Sequence, residues 1–206
     1  MQKINPNRME LSNQKKKLAI AKRGHKLLKD KQDALIKLFL DTVHKTRELR
    51  ESVEDDMKNA YDGFLIARSV MEKFTSESIF LVSNVKIELT ENIRNNMGVR
   101  TPVYDFKQVG NLHAYSLVGT SGELDSSLEI FSNLLEKLVK LAELEKMVEL
   151  MALEIEKTRR RVNALEYRLI PDTQEIIRFI KMKLDEMERS NLSRLMKVKE
   201  IVRKED

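Results

Sequence analysis

From Leu128 to Val202 apolar side chains recur at steps of three and four residues: Leu128, Phe131, Leu135, Leu138, Ile155, Val162, Leu165, Leu169, Ile176, Ile180, Leu184, Met187, Leu195, Val198 and Val202. That spacing draws one narrow apolar seam along a long helix and leaves charge on its other faces. A seam so narrow is not buried alone and requires a partner helix. The N-terminal third supplies one, with Leu11, Leu18, Ala21, His25, Leu28, Leu35 and Phe39 in the same spacing. After Leu49 the pattern reads as shifted by an inserted step, continuing Val53, Met57, Ala60, Phe64, Ala67, Met71 and Phe74. A step of that kind locally unwinds a supercoil without ending the helix. The expected fold class is mainly α: a long antiparallel two-helix coiled coil with a small central β-hairpin and loop insert.

Composition agrees. In 206 residues, 34% are charged and 5% aromatic, with no Trp, no Cys, 6 Gly and 3 Pro. A compact core would draw on more aromatics and turn residues, whereas this balance is that of paired helices. Without cysteine there are no disulfides and no thiolate metal ligands. The start, Met1-Gln2-Lys3-Ile4-Asn5-Pro6, precedes no apolar run of the kind a signal peptide carries. No stretch approaches the roughly 18 apolar residues of a membrane-spanning helix, so direct membrane insertion is not expected.

The chain divides into an N-terminal helix at 1–75, a central insert at 76–122 and a C-terminal helix at 123–206. Asn5 before Pro6 predicts the first helix start. Gly24 and Gly63 are expected as soft or close-approach points. In the insert, Val85, Ile87 and Leu89 alternate with polar residues, and Asn95-Asn96-Met97-Gly98 signals a turn. Val99 to Tyr104 then returns as an edge strand, where Pro102 is tolerated. Thr120-Ser121-Gly122-Glu123 has capping-box spacing with Thr120 as the cap. Pro171 should kink or briefly break the second helix.

Chemistry is sparse. His25, His44 and His113 show no metal-ligand spacing, and the acidic residues alternate with Lys and Arg as a solvated helix face does. Gly119-Thr120-Ser121-Gly122 lacks the Lys-Ser/Thr of a phosphate loop. Neither a catalytic site nor a cofactor or metal site is expected. The formal net charge is +5, concentrated between Lys3 and Lys31, where only Glu10 and Asp30 oppose ten bases. No aromatics are interleaved there for base stacking, which argues against nucleic acid as the partner. Arg159-Arg160-Arg161 is spread around its helix by about 100° per residue, so no single surface can engage all three.

Several of these residues also carry a family likeness. Pro6-Asn7-Arg8, Leu11 and the run Leu18 to Asp33 resemble the N-terminal signature of the D subunit of V/A-type rotary ATPases. The C-terminal signature is closer: Glu154-Ile155-Glu156-Lys157-Thr158-Arg159-Arg160-Arg161-Val162-Asn163-Ala164-Leu165-Glu166-Tyr167, Leu169-Ile170-Pro171 and Asp185-Glu186-Met187-Glu188-Arg189. Met97-Gly98-Val99 with Pro102 is similar to the hairpin of that family. Departures are Asn7 in place of Thr, Gln14 in place of Leu, and Asp172-Thr173 in place of an apolar residue.

The resemblance implies a non-catalytic rotor axle on the cytoplasmic side, peripheral to the membrane. Its coiled-coil tip would enter the catalytic A/B hexamer. Its base would bind the small F subunit and sit on the C subunit (called d in eukaryotes) above the ion-translocating ring. On that reading Arg8, Lys15, Lys16, Lys22, Arg23, Arg194, Lys197 and Lys199 are candidate hexamer contacts. Val85, Ile87, Gly98, Pro102 and Tyr104 are candidate contacts for the stalk partners. The competing reading is a prefoldin-like coiled-coil chaperone or scaffold, whose tips would be exposed and apolar rather than basic.

Overall fold

The computed structural model describes residues 5–72, 74, 78–79, 84–115 and 119–205. Its elements are helix α1 (Arg8–Val70), strands β1 (Lys86–Asn96) and β2 (Val99–Val109), helix α2 (Gly122–Ala164), a π-helical turn (Leu165–Leu169) and helix α3 (Ile170–Glu205). The chain is mainly α, and its described residues form one two-stranded antiparallel sheet. Two compact units form: one takes Met1–Asp33 and Glu156–Asp206, the other Ala34–Ile155.

In the unit of residues 34–155, α1 and α2 pack antiparallel. Val53, Leu134 and Leu141 form one core cluster, flanked by Leu49, Met57, Phe131 and Leu138. Tyr61 meets Phe131 edge-on at 5.4 Å, and cross-helix ion pairs join Asp56 to Lys137 and Arg50 to Glu145. The expected phase shift after Leu49 is absent. Buried and half-buried positions run Leu35, Phe39, Thr42, Thr46, Leu49, Val53, Asp56, Ala60, Gly63 and Ala67, by threes and fours throughout. Thr42 and Thr46 fill the apparent gap. Their hydroxyls donate to the Leu38 and Thr42 carbonyls, both at 2.8 Å, so threonine takes seam positions with its polar group satisfied.

The hairpin closes through Met97 and Gly98, both at positive φ (54° and 89°), with Asn96 opposite Val99. Two-residue turns of that twist match the flanking strands. Asn95 Oδ1 accepts from the Gly98 N–H at 2.9 Å. Counting from the closing pair, hydrogen-bonded pairs fall at alternate positions, so Ile93 opposite Pro102 exchanges no ladder bond. Pro102 therefore stands where its missing N–H is not needed. Val99 enters the second core cluster with Leu35 and Met151, fixing the turn end of the hairpin to the helices. At the other end Gly110 has φ +124°, and a Cβ there would collide with the Asn84 carbonyl oxygen.

In the unit of residues 1–33 and 156–206, Ala21 is buried on α1, with Thr158, Val162, Thr173, Ile177 and Ile180 buried on the C-terminal side. Arg8 pairs with Glu188 at 2.6 Å and His25 Nε2 lies 3.4 Å from Glu166 Oε2, so the two helices of this coil are antiparallel. Pro171 does not break the helix. The turn before it widens to π geometry, closed by the Ile170 N–H donating to the Leu165 carbonyl. The wider turn accommodates the carbonyl that a proline ring would otherwise strike. It also adds one residue to the seam, which steps by five from Leu165 to Ile170 before resuming at Thr173, Ile177 and Ile180. Leu169, expected on the seam, is exposed for that reason; Met187, also expected there, is in phase with Ile180 and Leu184 and is exposed next to the Arg8–Glu188 pair.

Two helix caps differ from expectation. The α1 cap is Asn7, not Asn5: its Oδ1 accepts from the Met9 N–H at 3.5 Å and its carbonyl from the Leu11 N–H at 3.0 Å. Ser121, not Thr120, caps α2, accepting the Glu123 N–H on its hydroxyl at 3.3 Å. Gly24 is not a close approach, since a Cβ there would meet nothing within 4 Å.

Candidate functional site

The eight candidate hexamer contacts all belong to the unit of residues 1–33 and 156–206. Lys15, Lys16, Lys22 and Arg23 project from α1 and Arg194, Lys197 and Lys199 from α3, all exposed. Arg8 is exposed too but held by Glu188. The tip is more than basic. Beyond Glu188, α3 continues to Glu205, roughly 25 Å at about 1.5 Å per residue. Leu192, Leu195, Met196, Val198, Ile201 and Val202 are each more than half exposed along it. The seam spacing predicts Leu195, Val198 and Val202 buried on the partner helix; they are not, because the described part of α1 stops beside Glu188. Exposed apolar character, the mark of a chaperone-like tip, is thus present here, and basic charge alone does not separate the two readings.

The triplet Arg159, Arg160 and Arg161 is exposed between buried Thr158 and Val162, with Arg160 paired to Glu156. His25 is turned to Glu166, and His44 is exposed.

The five candidate stalk-partner residues all belong to the unit of residues 34–155. Gly98 forms the turn. Pro102 and Tyr104 lie half-buried on β2, and Ile87 is exposed on β1. Val85 and Ile87 line a cleft of about 230 Å³ with Leu128, Phe131 and Leu135 of α2. The contacts that hold this region together carry no sequence signal. Glu143 accepts the Tyr104 main-chain N–H at 3.3 Å. Ser132 donates to Gln108 Oε1 at 2.9 Å. The Tyr115 hydroxyl donates to Asp125, and His113 lies 3.7 Å from Asp125 and 3.8 Å from Glu129. Burial, then the hydrogen bond to Asp125 and its charge, push the Tyr115 phenol well above its ordinary range. Side chains brought together from separate elements leave no local pattern, so only the fold reveals them.

On the surface, Lys140 bonded to Glu136 and Lys183 bonded to Glu186 hold those carboxyls below their usual range, while Glu149 raises Lys146. All are solvated helix pairs of small energetic weight. No helix among the described residues is long and apolar enough to cross a membrane.

Comparison with known proteins fits this architecture. Residues 10–200 match the family model of the ATP synthase D subunit. The D subunit of the V-type ATP synthase of Thermoanaerobacter pseudethanolicus is 50% identical over 203 residues, covering 98% of this chain and 97% of the relative. That of Clostridium novyi is 49% identical over 207 residues, covering 98% and 96%. That of Clostridioides difficile is 49% identical over 204 residues, covering 98% and 92%. The chain belongs to the D-subunit family of ATP synthases and is a component of a V/A-type ATPase.

Proposed function

We propose that this chain is the central rotor axle of the complex, transmitting torque between the catalytic A/B hexamer and the ion-translocating membrane ring. It would do so without catalysing ATP hydrolysis itself, and on the cytoplasmic side as a peripheral component. The observation that carries the reading is the match of residues 10–200 to the ATP synthase D-subunit family; the α3 tip, where Leu195, Val198 and Ile201 are exposed beside Arg194, Lys197 and Lys199, is compatible with it. An exposed helix that mixes apolar and basic side chains suits insertion into a cavity with an apolar lining and acidic loops. Two antiparallel helices locked by a shared seam resist twisting better than one, as a torque carrier requires. The π-turn interrupts the regular seam of the rod, so that three catalytic interfaces would meet different surfaces at one moment.

In the same reading the hairpin unit serves the stalk partners, the F subunit and the C subunit (called d in eukaryotes), through Val85, Ile87, Gly98, Pro102 and Tyr104. Reconstitution tests the proposal. The chain, with and without the F subunit, is added to purified A/B hexamer, and native mass and ATPase rate are measured. One copy per hexamer, with a turnover change that depends on residues 1–31 and 190–206, is expected. Failure to bind in either condition would overturn the axle reading and return the chain to a scaffold or chaperone role.

A further inference from the structure

The two edges of the hairpin are not equivalent. On β2 the residues that point their main-chain groups away from β1 are Arg100, Pro102, Tyr104, Phe106 and Gln108, by alternation from the closing pair. That edge is blunted. Pro102 has no N–H to offer, and the Tyr104 N–H is already given to Glu143 at 3.3 Å. On β1 the corresponding outward residues are Ile87, Leu89, Glu91, Ile93 and Asn95. No proline or bulge interrupts this strand. All five are exposed, and no main-chain bond engages their outward groups among the described residues. A long, unprotected edge of this kind templates a further strand.

Side chains sharpen the picture. Residues with outward main-chain groups also share one face, so Ile87, Leu89 and Ile93 form an apolar row, exposed by 52, 52 and 70%, broken only by Glu91. We propose that β1 receives an extended strand from a different polypeptide, pairing antiparallel with its open edge. The incoming segment would carry apolar residues opposite Leu89 and Ile93 and a basic residue opposite Glu91, in the order apolar, any, basic, any, apolar. Main-chain bonds would supply affinity and the alternate side chains specificity.

A second copy of this chain fits poorly. Antiparallel self-pairing over the full strand sets Glu91 against Glu91. Sliding it two residues one way sets Lys86 against Arg94 twice, and the other way sets Leu89 against Asn95 and Ile93 against Glu91. Like charges directly opposed destabilise a sheet, and the remaining register loses its apolar pairs. The inference rests on the hairpin geometry alone and stands or falls apart from the axle reading.

The test uses the full chain and a seven-residue synthetic peptide with valine at its second and sixth positions, lysine at its fourth and threonine elsewhere. Amide hydrogen exchange and NMR titration at millimolar peptide should show protection at Leu89, Glu91 and Ile93, and not at Asn92 or Arg94 beyond their hairpin protection. Leu89→Pro removes an outward donor without touching the β1–β2 ladder, and should weaken binding by about tenfold or more with the hairpin intact. The same peptide N-methylated at its second, fourth and sixth residues, whose N–H groups face β1, should not bind. Glu91→Lys should lose the lysine peptide and gain one with glutamate in its place.

Peptide shifts on the α1 or α2 face, or binding unchanged in Leu89→Pro, would overturn the proposal. So would a peptide without effect at any amide of β1. A concentration-dependent dimer of the chain alone that Leu89→Pro abolishes would reassign the edge to a second copy. Should Leu89→Pro disturb the hairpin, the N-methylated peptide and the charge exchange still decide.

Discussion

The main-chain N–H of Tyr104 donates to the Glu143 carboxylate at 3.3 Å, joining β2 to α2. Together with Val99 in the Leu35–Met151 cluster, it fixes the hairpin against the helices at two points along one strand. Glu143→Ala should therefore loosen the middle of β2 while leaving its turn end docked. The hydrogen bond has a charged acceptor but is partly solvated, so a loss of about 1 kcal/mol is expected. Hydrogen exchange should speed up at the Tyr104 amide and not at Val99. Equal acceleration at both would mean that the core contact does not hold the turn independently.

The π-turn before Pro171 yields a prediction in which two changes have opposite signs. Deleting Arg168 removes the extra residue, leaves the downstream seam of Thr173, Ile177 and Ile180 in phase, and forces Pro171 into an ordinary helix. An interior proline there costs about 3 kcal/mol or more. Adding Pro171→Ala to the deletion should restore most of that loss, whereas Pro171→Ala alone should change stability little, because the seam still requires the extra residue. Thermal unfolding of the three variants checks the cycle. If the deletion alone is harmless, the π-turn is not there to relieve the proline.

What the sequence makes legible depends on whether the signal is periodic. The paired helices and the hairpin turn at Met97-Gly98 can be read because apolar spacing and turn chemistry are local properties of the chain. Thr42, Thr46 and Thr173 escape such a reading, since a hydroxyl counts as polar until its bond to its own helix is seen. That omission alone produces the apparent phase shift after Leu49. Pro171 is recognisable as a disturbance, but its resolution as one added residue depends on the packing on either side. Of the candidate surfaces, the basic positions are exposed as expected. The bare apolar helix beyond Glu188 is not foreseeable, because a seam in the sequence does not say where its partner stops.

Tyr115 should titrate late. Its folded pKa lies above the ordinary value near 10 through burial and its hydrogen bond to Asp125. A group whose pKa is raised on folding contributes stability that is complete below its unfolded pKa, and loses it as pH rises through the folded value. The segment 111–115 should thus stay protected at neutral pH and open only well above about pH 10. In a phenolate absorbance titration, Tyr115→Phe should remove the most alkaline part of the rise. A loss from the earliest part instead would show that the Asp125 contact does not form in solution.

The tip allows binding to be separated from folding. Leu195, Val198 and Ile201 are each more than half exposed, so they contribute little to the stability of the isolated chain. Replacing all three with serine should change unfolding free energy by no more than about 0.5 kcal/mol per site. If these residues instead pack inside a hexamer cavity, burial of each would be worth roughly 1.5–3 kcal/mol. The triple variant should then bind purified A/B hexamer at least tenfold more weakly, with helix content and thermal midpoint close to those of the unaltered chain. Replacing Lys197 and Lys199 with glutamine should mainly reduce the salt dependence of the same binding, since screened charge and apolar burial respond differently to ionic strength. A triple variant that unfolds early would place these residues in the fold of the chain. One that binds normally would remove the α3 tip from the hexamer interface.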